Sequence, residues 1–261
     1  MKLLIATSNP GKFAEFDNVL QLPRVQLLSL KDFPTLEPFD ETGVSFLENA
    51  RGKAAHFHGL TGMPVVADDS GLEVDVLGGA PGIHSARYAG SNASDRDRIE
   101  RLLQEIRAAA QERAAAASPR GPDAFSPEME TAGPSRWSAA SDLNEIRSLT
   151  AEEKFKRLES FEIGQVALPE MPGYEVLSPA RFVCALSYCN KATEQFFAEE
   201  ECPGFIVSTP RGTGGFGYDP VFLLPGRSKT MAELTRAEKN EISHRGKALG
   251  RLRQFLQSIA D

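Results

Sequence analysis

The sequence predicts an α/β fold, on two observations. Short apolar runs alternate with helically spaced apolar residues, and each change of period falls at a turn or capping residue. The third apolar run ends in two carboxylates, Val65-Val66-Ala67-Asp68-Asp69-Ser70-Gly71. In open α/β sheets, ligands sit at the carboxyl ends of strands.

Leu3 to Ala6 reads as a buried first strand. Phe13, Phe16, Val19 and Leu20 then recur at helical spacing, with Ser8 or Asn9 suited to the N-cap and Pro10 to the first helical position. A strand, a turn and a helix N-terminus leave N–H groups facing outward, and Lys12 adds a charge, which makes an anion site. The competing reading is a plain cap beside a surface lysine. Ala6 and Phe13 exclude a Walker A loop.

Val25 to Leu30 is a second strand. Glu41-Thr42-Gly43 is read as opening a helix with Phe46, Leu47, Ala50, Ala54 and Phe57 near one face. On that reading Glu48 lies two turns in, and Lys53 shares a face with Asn49. His56 and His58 read as surface or edge residues. Met63 to Ala67 is a third, buried strand that delivers Asp68 and Asp69 at its end. Adjacent carboxylates need a cation, a proton or solvation, and a hard divalent metal carrying phosphate would serve. Asp-Asp-Ser-Gly also suits a simple turn. Leu72, Val74 and Val76 alternate as a half-exposed strand, and Gly78 to Gly82 form a loop. Ser94 or Asp95 starts a helix through Ile99, Leu102, Leu103 and Ile106.

From about Ala108 to Pro179 the character changes. A Ser/Pro/Gly-rich stretch from Ala117 to Ser141 lacks any apolar period and reads as flexible. Thr150 and Glu153 form a capping box for a short helix with Phe155, Leu158 and Phe161. The expectation is a single domain over 1–261, interrupted by an insertion at about 108–179. Beyond it, Arg181 to Tyr188, Thr193 to Glu199, Phe205 to Ser208 and Val221 to Leu224 read as strands. Gly212 to Pro220 alternates glycine with Phe216 and Tyr218, a plausible clamp for a planar base or an aromatic hairpin corner. Thr230 with Glu233 caps a helix through Leu234, ending near Lys239. Ser243 caps the last, with Leu249, Leu252, Phe255, Leu256 and Ile259 on its core face. His244 and Arg245 in its first turn oppose the helix dipole, so something must compensate them, a bound ligand for instance.

The net charge of -7 argues against a general nucleic-acid surface, and the three cysteines against a disulfide framework or structural zinc. No stretch reaches membrane-spanning length and the N-terminal apolar run is short for a signal peptide, so a cytoplasmic location is expected.

Thr7–Lys12, Glu41–Gly43, Asp68–Gly71, Phe216–Asp219, Lys239 and Ser243-His244-Arg245, taken in order, resemble the inosine triphosphate pyrophosphatase family. Long runs such as Leu77-Gly-Gly-Ala-Pro-Gly and Gly212-Thr-Gly-Gly-Phe-Gly-Tyr-Asp-Pro carry the likeness, which spans Met1 to about Ile106 and Arg181 onward. The resemblance implies an elongated mixed β-sheet flanked by helices, with a nucleotide cleft between two lobes, and a homodimer. It implies Mg²⁺-dependent hydrolysis of unusual purine nucleoside triphosphates (ITP, dITP, XTP) to monophosphate and pyrophosphate. Thr7, Ser8, Asn9, Pro10, Gly11 and Lys12 would then cradle the triphosphate, with Lys53 adding charge. Glu41 and Asp69 would hold the metal, Asp69 would also accept the proton, and Ser70 would touch substrate. Phe216, Gly217, Tyr218, Asp219, Lys239, His244 and Arg245 would form the base side. From the residues alone, Asp68 is as good a proton acceptor as Asp69. Competing readings are a Maf-like pyrophosphatase of other base specificity and a nucleotide sensor without turnover.

Overall fold

The computed structural model describes residues 1–23, 25–117, 173–191 and 193–259. The expected capping box at Thr150, its helix, and all but the first residue of the Ser/Pro/Gly-rich stretch lie outside them.

Seven strands form one mixed sheet in the order β2-β1-β3-β4-β5-β6-β7. β1 (Lys2–Ile5) runs parallel to both β2 (Gln26–Ser29) and β3 (Val65–Val74). From β3 onward every pairing is antiparallel: β4 (Val176–Asn190), β5 (Thr193–Val207), β6 (Phe222–Leu224) and β7 (Lys229–Thr230). β4 and β5 have 15 residues each. At about 3.3 Å per residue that is roughly 50 Å, and it makes the sheet elongated.

One face of β4 explains how this sheet carries two lobes. Ala180 and Phe182 join a cluster with Leu72, Val74 and the helix α3 (Asp95–Ala117), through Ile99, Leu102, Leu103 and Ile106. Farther along the same alternation, Cys184, Leu186 and Tyr188 join a second cluster. It is covered by α1 (Pro10–Val19), through Phe16, and by α5 (His244–Ser258), through Ala248, Leu249, Leu252 and Leu256. Period-2 alternation keeps both clusters on one face. The helices over them differ, and the two covers divide at Phe182, on which His244 from the start of α5 stacks at 4.9 Å. α2 (Phe46–Thr61) covers the opposite face, packing Phe46 and Ala50 on Val183 and Ala185. α4 (Arg236–Ile242) leads into α5.

Several sequence expectations require correction. The strand from Met63 does not stop at the carboxylates: β3 runs unbroken through Asp68, Asp69, Ser70 and Gly71 to Val74. Each of its residues faces a partner on β4, from Val65 opposite Cys189 to Val74 opposite Ala180. Ladder pairing overrides the local turn preference of Asp, Ser and Gly. Thr193–Glu199 and Phe205–Ser208 are likewise one strand, β5, despite Pro203 and Gly204. α2 begins after Ser45 rather than at Glu41, and Glu48 closes its first turn by accepting from Val44 N. Thr230 and Glu233 cap only a 3-10 turn, and a second capping box, Thr235 with Glu238, opens α4. Helix α3 continues to Ala117, past the change of composition at Ala108. Ile259 is half exposed, not core. The three cysteines are buried, and none is in a disulfide.

Gly71 shows how tightly β3 is approached. β1 ends at Ile5, which frees the edge of β3 beyond Val66, and a 3-10 turn over Gly82–Arg87 takes its place, with Ser85 Oγ accepting from Leu72 N at 2.9 Å. A Cβ at Gly71 would lie 2.4 Å from Ser85 Oγ and 2.5 Å from the Gly82 carbonyl oxygen. Gly71→Ala is therefore expected to cost about 2–3 kcal/mol, the overpacking range. A urea titration checks it, and a midpoint equal to wild type would refute the close approach.

Candidate active site

The site forms where β1 ends and the two helical covers part. Asn9 caps α1, its Oδ1 accepting from Gly11 N at 2.8 Å and Lys12 N at 3.2 Å. Thr7 is buried, and its Oγ1 accepts from Asn9 N at 3.1 Å. The N–H groups of Gly11 and Lys12, expected to face an anion, are thus held by Asn9 itself. Ser8 and Pro10 are exposed on the same turn.

Asp68 and Asp69 do not face each other. On an extended strand neighbouring side chains point to opposite faces, and their partners differ accordingly. Asp68 is buried among cations: Lys12 Nζ lies 2.9 Å and Arg245 Nε 3.3 Å from its Oδ2, which also accepts from Ser70 Oγ at 3.1 Å. Burial alone would raise its carboxyl, but Lys12, Arg245 and Lys53 together hold it well below the usual carboxylate range. It stays ionised, its charge taken up by Lys12, Arg245 and Ser70.

Asp69 lies on the α2 side. Asn49 Nδ2 donates to its Oδ2 at 2.9 Å and Ser70 N to its Oδ1 at 3.0 Å. Burial raises its carboxyl, and the negative charge of Glu41 raises it further against the pull of Lys53. The Asn49 amide is fixed in turn, since its Oδ1 accepts from Gly43 N at 2.8 Å. Lys53 reaches back from α2 to bond Glu41 Oε1, and donates to the Asp68 carbonyl at 3.2 Å, on the edge of β3 that β1 vacates. Burial would lower its ammonium, yet Glu41, Asp68 and Asp69 raise it above the ordinary lysine value. Glu41 and Asp69, placed far apart in sequence, therefore share one neighbourhood with Lys53.

Across the helical parting lies a second ionic group that sequence reasoning missed. Glu15 on α1 is buried, and its two oxygens take Arg245 Nη1 at 2.5 Å and Lys239 Nζ at 3.1 Å. Lys239 also meets Asp219 Oδ2 at 2.6 Å, which accepts from Phe216 N at 2.9 Å. Arg245 further donates to Ser70 Oγ. The charge that opposes the dipole of α5 is thus matched by Glu15 and Asp68, with no ligand required. Glu15 follows Lys12 by three residues and so shares its helix face. That spacing was the available signal.

Of the base-side residues, Phe216 is half buried and Tyr218 is buried. The Phe216 ring packs on α1, where a Cβ at Gly11 would stand 2.8 Å from Cδ1, and Lys239 and Arg245 lie 4.7 Å and 5.5 Å from its centroid. Tyr218 belongs to the α3 cluster and donates its hydroxyl to Ser85 O at 3.0 Å, so it offers no stacking face. Gly217 N donates to Asp95 Oδ2 at 2.6 Å. His244 is buried and stacks on Phe182 at 4.9 Å, and its Nδ1 lacks a hydrogen-bond partner among the described residues. Burial and the nearby Arg245 and Lys239 charges push its pKa well below the ordinary histidine value, so the ring is neutral. His56 and His58 bond the Glu37 and Met63 carbonyls, away from the site.

Among the described residues no three His, Cys, Asp or Glu side chains gather as a metal cage. The donor set available to a divalent ion is the pair Glu41 and Asp69. Hard oxygen donors from one or two carboxylates, completed by water and phosphate, are what Mg²⁺ takes, and the pair fits that chemistry.

The arrangement matches known proteins along almost the whole chain. A curated dITP/XTP pyrophosphatase from Geobacillus kaustophilus (strain HTA426) is 37% identical over 258 residues, covering 99% of this chain and 95% of that protein. The dITP/XTP pyrophosphatase of Escherichia coli (strain K12) is 34% identical, with 98% of each covered. Among solved structures, a HAM1 protein from Coxiella burnetii superposes with a TM-score of 0.67 at 29% identity, covering 99% of each chain. No described helix is long and apolar enough to cross a membrane. The Ham1 family model matches residues 3–119 and 165–255, which leaves 120–164 unmatched within the stretch read as an insertion. With the split carboxylates, the capped lysine turn and the terminal His-Arg pair all inside the matched residues, this chain belongs to the Ham1 family.

Proposed function

We propose that this protein hydrolyses dITP, ITP and XTP to the monophosphate and pyrophosphate, the activity for which its relatives are named. The observation that carries the reading is the division of labour between Asp68 and Asp69. One is held ionised by three cations, and the other is raised and sits beside Glu41 and Lys53. A carboxylate lifted towards neutral pH is suited to take a proton from water.

Glu41 and Asp69 would hold Mg²⁺, which when bound supplies charge stabilisation to the phosphoryl oxygens. The chain's own residues do the rest. Asp69 orients a water and accepts its proton, while Asn49 and Ser70 N fix the carboxylate. The water oxygen forms a bond to the α-phosphorus. The bond from that phosphorus to the α–β bridging oxygen breaks, and pyrophosphate leaves with the electron pair. Lys12 and Lys53 offset the charge gathered on the phosphates, and Ser8 and the Asn9-capped turn line the slot.

For the base, the half-buried Phe216 offers a ring face near Lys239 and Arg245. A 6-oxo group would accept from a donor on this side, and the buried Nδ1 of His244 is an atom without a hydrogen-bond partner among the described residues. A 6-amino group would set donor against donor there. Such mismatches give roughly 10⁴-fold discrimination. Hydrolysis of ITP, dITP, XTP, ATP and GTP, measured in parallel with and without Mg²⁺, tests the reading. Metal-dependent hydrolysis that favours the 6-oxo purines over ATP supports it, whereas equal rates on ITP, XTP and ATP remove it. A homodimeric, cytoplasmic enzyme acting on free nucleotides completes the proposal.

A further inference from the structure

Arg87 is absent from the set of residues assigned above, yet it stands beside Glu41 with most of its donors open among the described residues. It closes the 3-10 turn Gly82–Arg87, whose Ser85 and Gly82 press against Gly71 on β3. That contact fixes the turn beside the two carboxylates. Its Nη1 lies 3.5 Å from Glu41 Oε2, while Lys53 takes the other oxygen of the same carboxylate. The two cations therefore flank one end of the slot.

The remaining cations of the site are already committed. Lys12 and Arg245 hold Asp68, Arg245 and Lys239 hold Glu15, and Lys239 holds Asp219, all at 3.3 Å or less. Lys53 adds the Asp68 carbonyl to Glu41. The Arg87 contact is the longest of the set, it uses a single nitrogen, and the side chain is 40% exposed. A guanidinium carries five N–H donors in a planar fork that matches phosphate oxygens. An exposed ion pair of this kind is worth little to the fold.

We infer that Arg87 is a catalytic residue that grips the pyrophosphate portion of the substrate. It neutralises the bridging oxygen as that oxygen takes the electron pair from the breaking bond to the α-phosphorus. The assignment rests on the pyrophosphatase reading above and deepens it. With Glu41 holding the divalent ion, the fork of Arg87 would be left open to phosphate.

Measurements on Arg87→Ala and Arg87→Lys test this. With saturating Mg²⁺, kcat/KM for ITP should fall on the order of 10³-fold in the alanine variant, the lower end of what an arginine gives a phosphoryl transition state. Lysine should restore part of it. Inhibition by pyrophosphate should weaken about tenfold or more, as loss of a charge-assisted bond implies, while inhibition by IMP and the melting temperature stay unchanged. The competing role is a latch that merely holds Glu41. A latch would raise the Mg²⁺ requirement and leave pyrophosphate inhibition intact, and that result overturns the assignment, as does an unchanged kcat/KM. Calorimetric binding of Mg²⁺-pyrophosphate needs no turnover. Should wild type fail on every oxo-purine, the parent reading falls, while equal pyrophosphate affinity in wild type and Arg87→Ala separately refutes the Arg87 contact.

Discussion

Asp69→Asn is expected to lower kcat by roughly 10²–10⁴ through loss of the proton acceptor, while the protein melts close to wild type. The second half starts from the sign of the shift. The Asp69 carboxyl is raised in the folded chain by burial and by Glu41. A carboxylate whose folded pKa exceeds its unfolded value is bound less readily in its ionised form, so above that range it costs stability. Removing the charge relieves the cost, while the new amide leaves one of the two N–H donors without its acceptor, so stability changes little as activity falls. In wild type, kcat/KM should decline as pH falls, because only the ionised form accepts a proton. Steady-state rates across pH, paired with thermal melts of both proteins, check this. A variant that loses activity only because it unfolds at lower temperature would assign Asp69 to the scaffold.

Much of this site was legible beforehand, for physical reasons that differ between residues. The Asn9 cap, Pro10 and Lys12 are set by local chemistry, and local chemistry reads directly from sequence. Glu41 and Asp69 came together only through the resemblance, since Glu41 lies in a loop ahead of α2. The Asp-Asp-Ser-Gly segment misled because turn preference is a property of the segment, whereas β3 is held by a partner strand more than a hundred residues away. Thr235 was overlooked because Thr230 offered an equally good box five residues earlier. The first turn of α5 shows in sequence only that something must compensate its charges, because the acids that do so come from α1 and β3, in the first third of the chain. Glu15 had no local mark beyond its spacing from Lys12. Its role exists only once α1 and α5 lie side by side.

That late-appearing carboxylate should have the largest effect on stability. Glu15 joins Arg245 and Lys239, which are themselves buried. Breaking a buried pair by removing one partner costs 3–5 kcal/mol. Arg245 keeps Asp68 and Lys239 keeps Asp219, so the lower figure applies, and Glu15→Gln is expected to lose about 3 kcal/mol. For a chain of this size that is a drop in Tm of roughly 6–12 °C. Burial works against the charge, but Arg245 and Lys239 win and depress the Glu15 carboxyl below its ordinary value. Its stabilisation is therefore complete above the unfolded glutamate pKa and disappears as pH falls through the depressed one. The Tm gap between wild type and Glu15→Gln should be constant near neutrality and close in acid. A gap of unchanged size at the lowest pH where both proteins still fold would mean that Glu15 acts through shape, and that the charges of Arg245 and Lys239 are balanced without it.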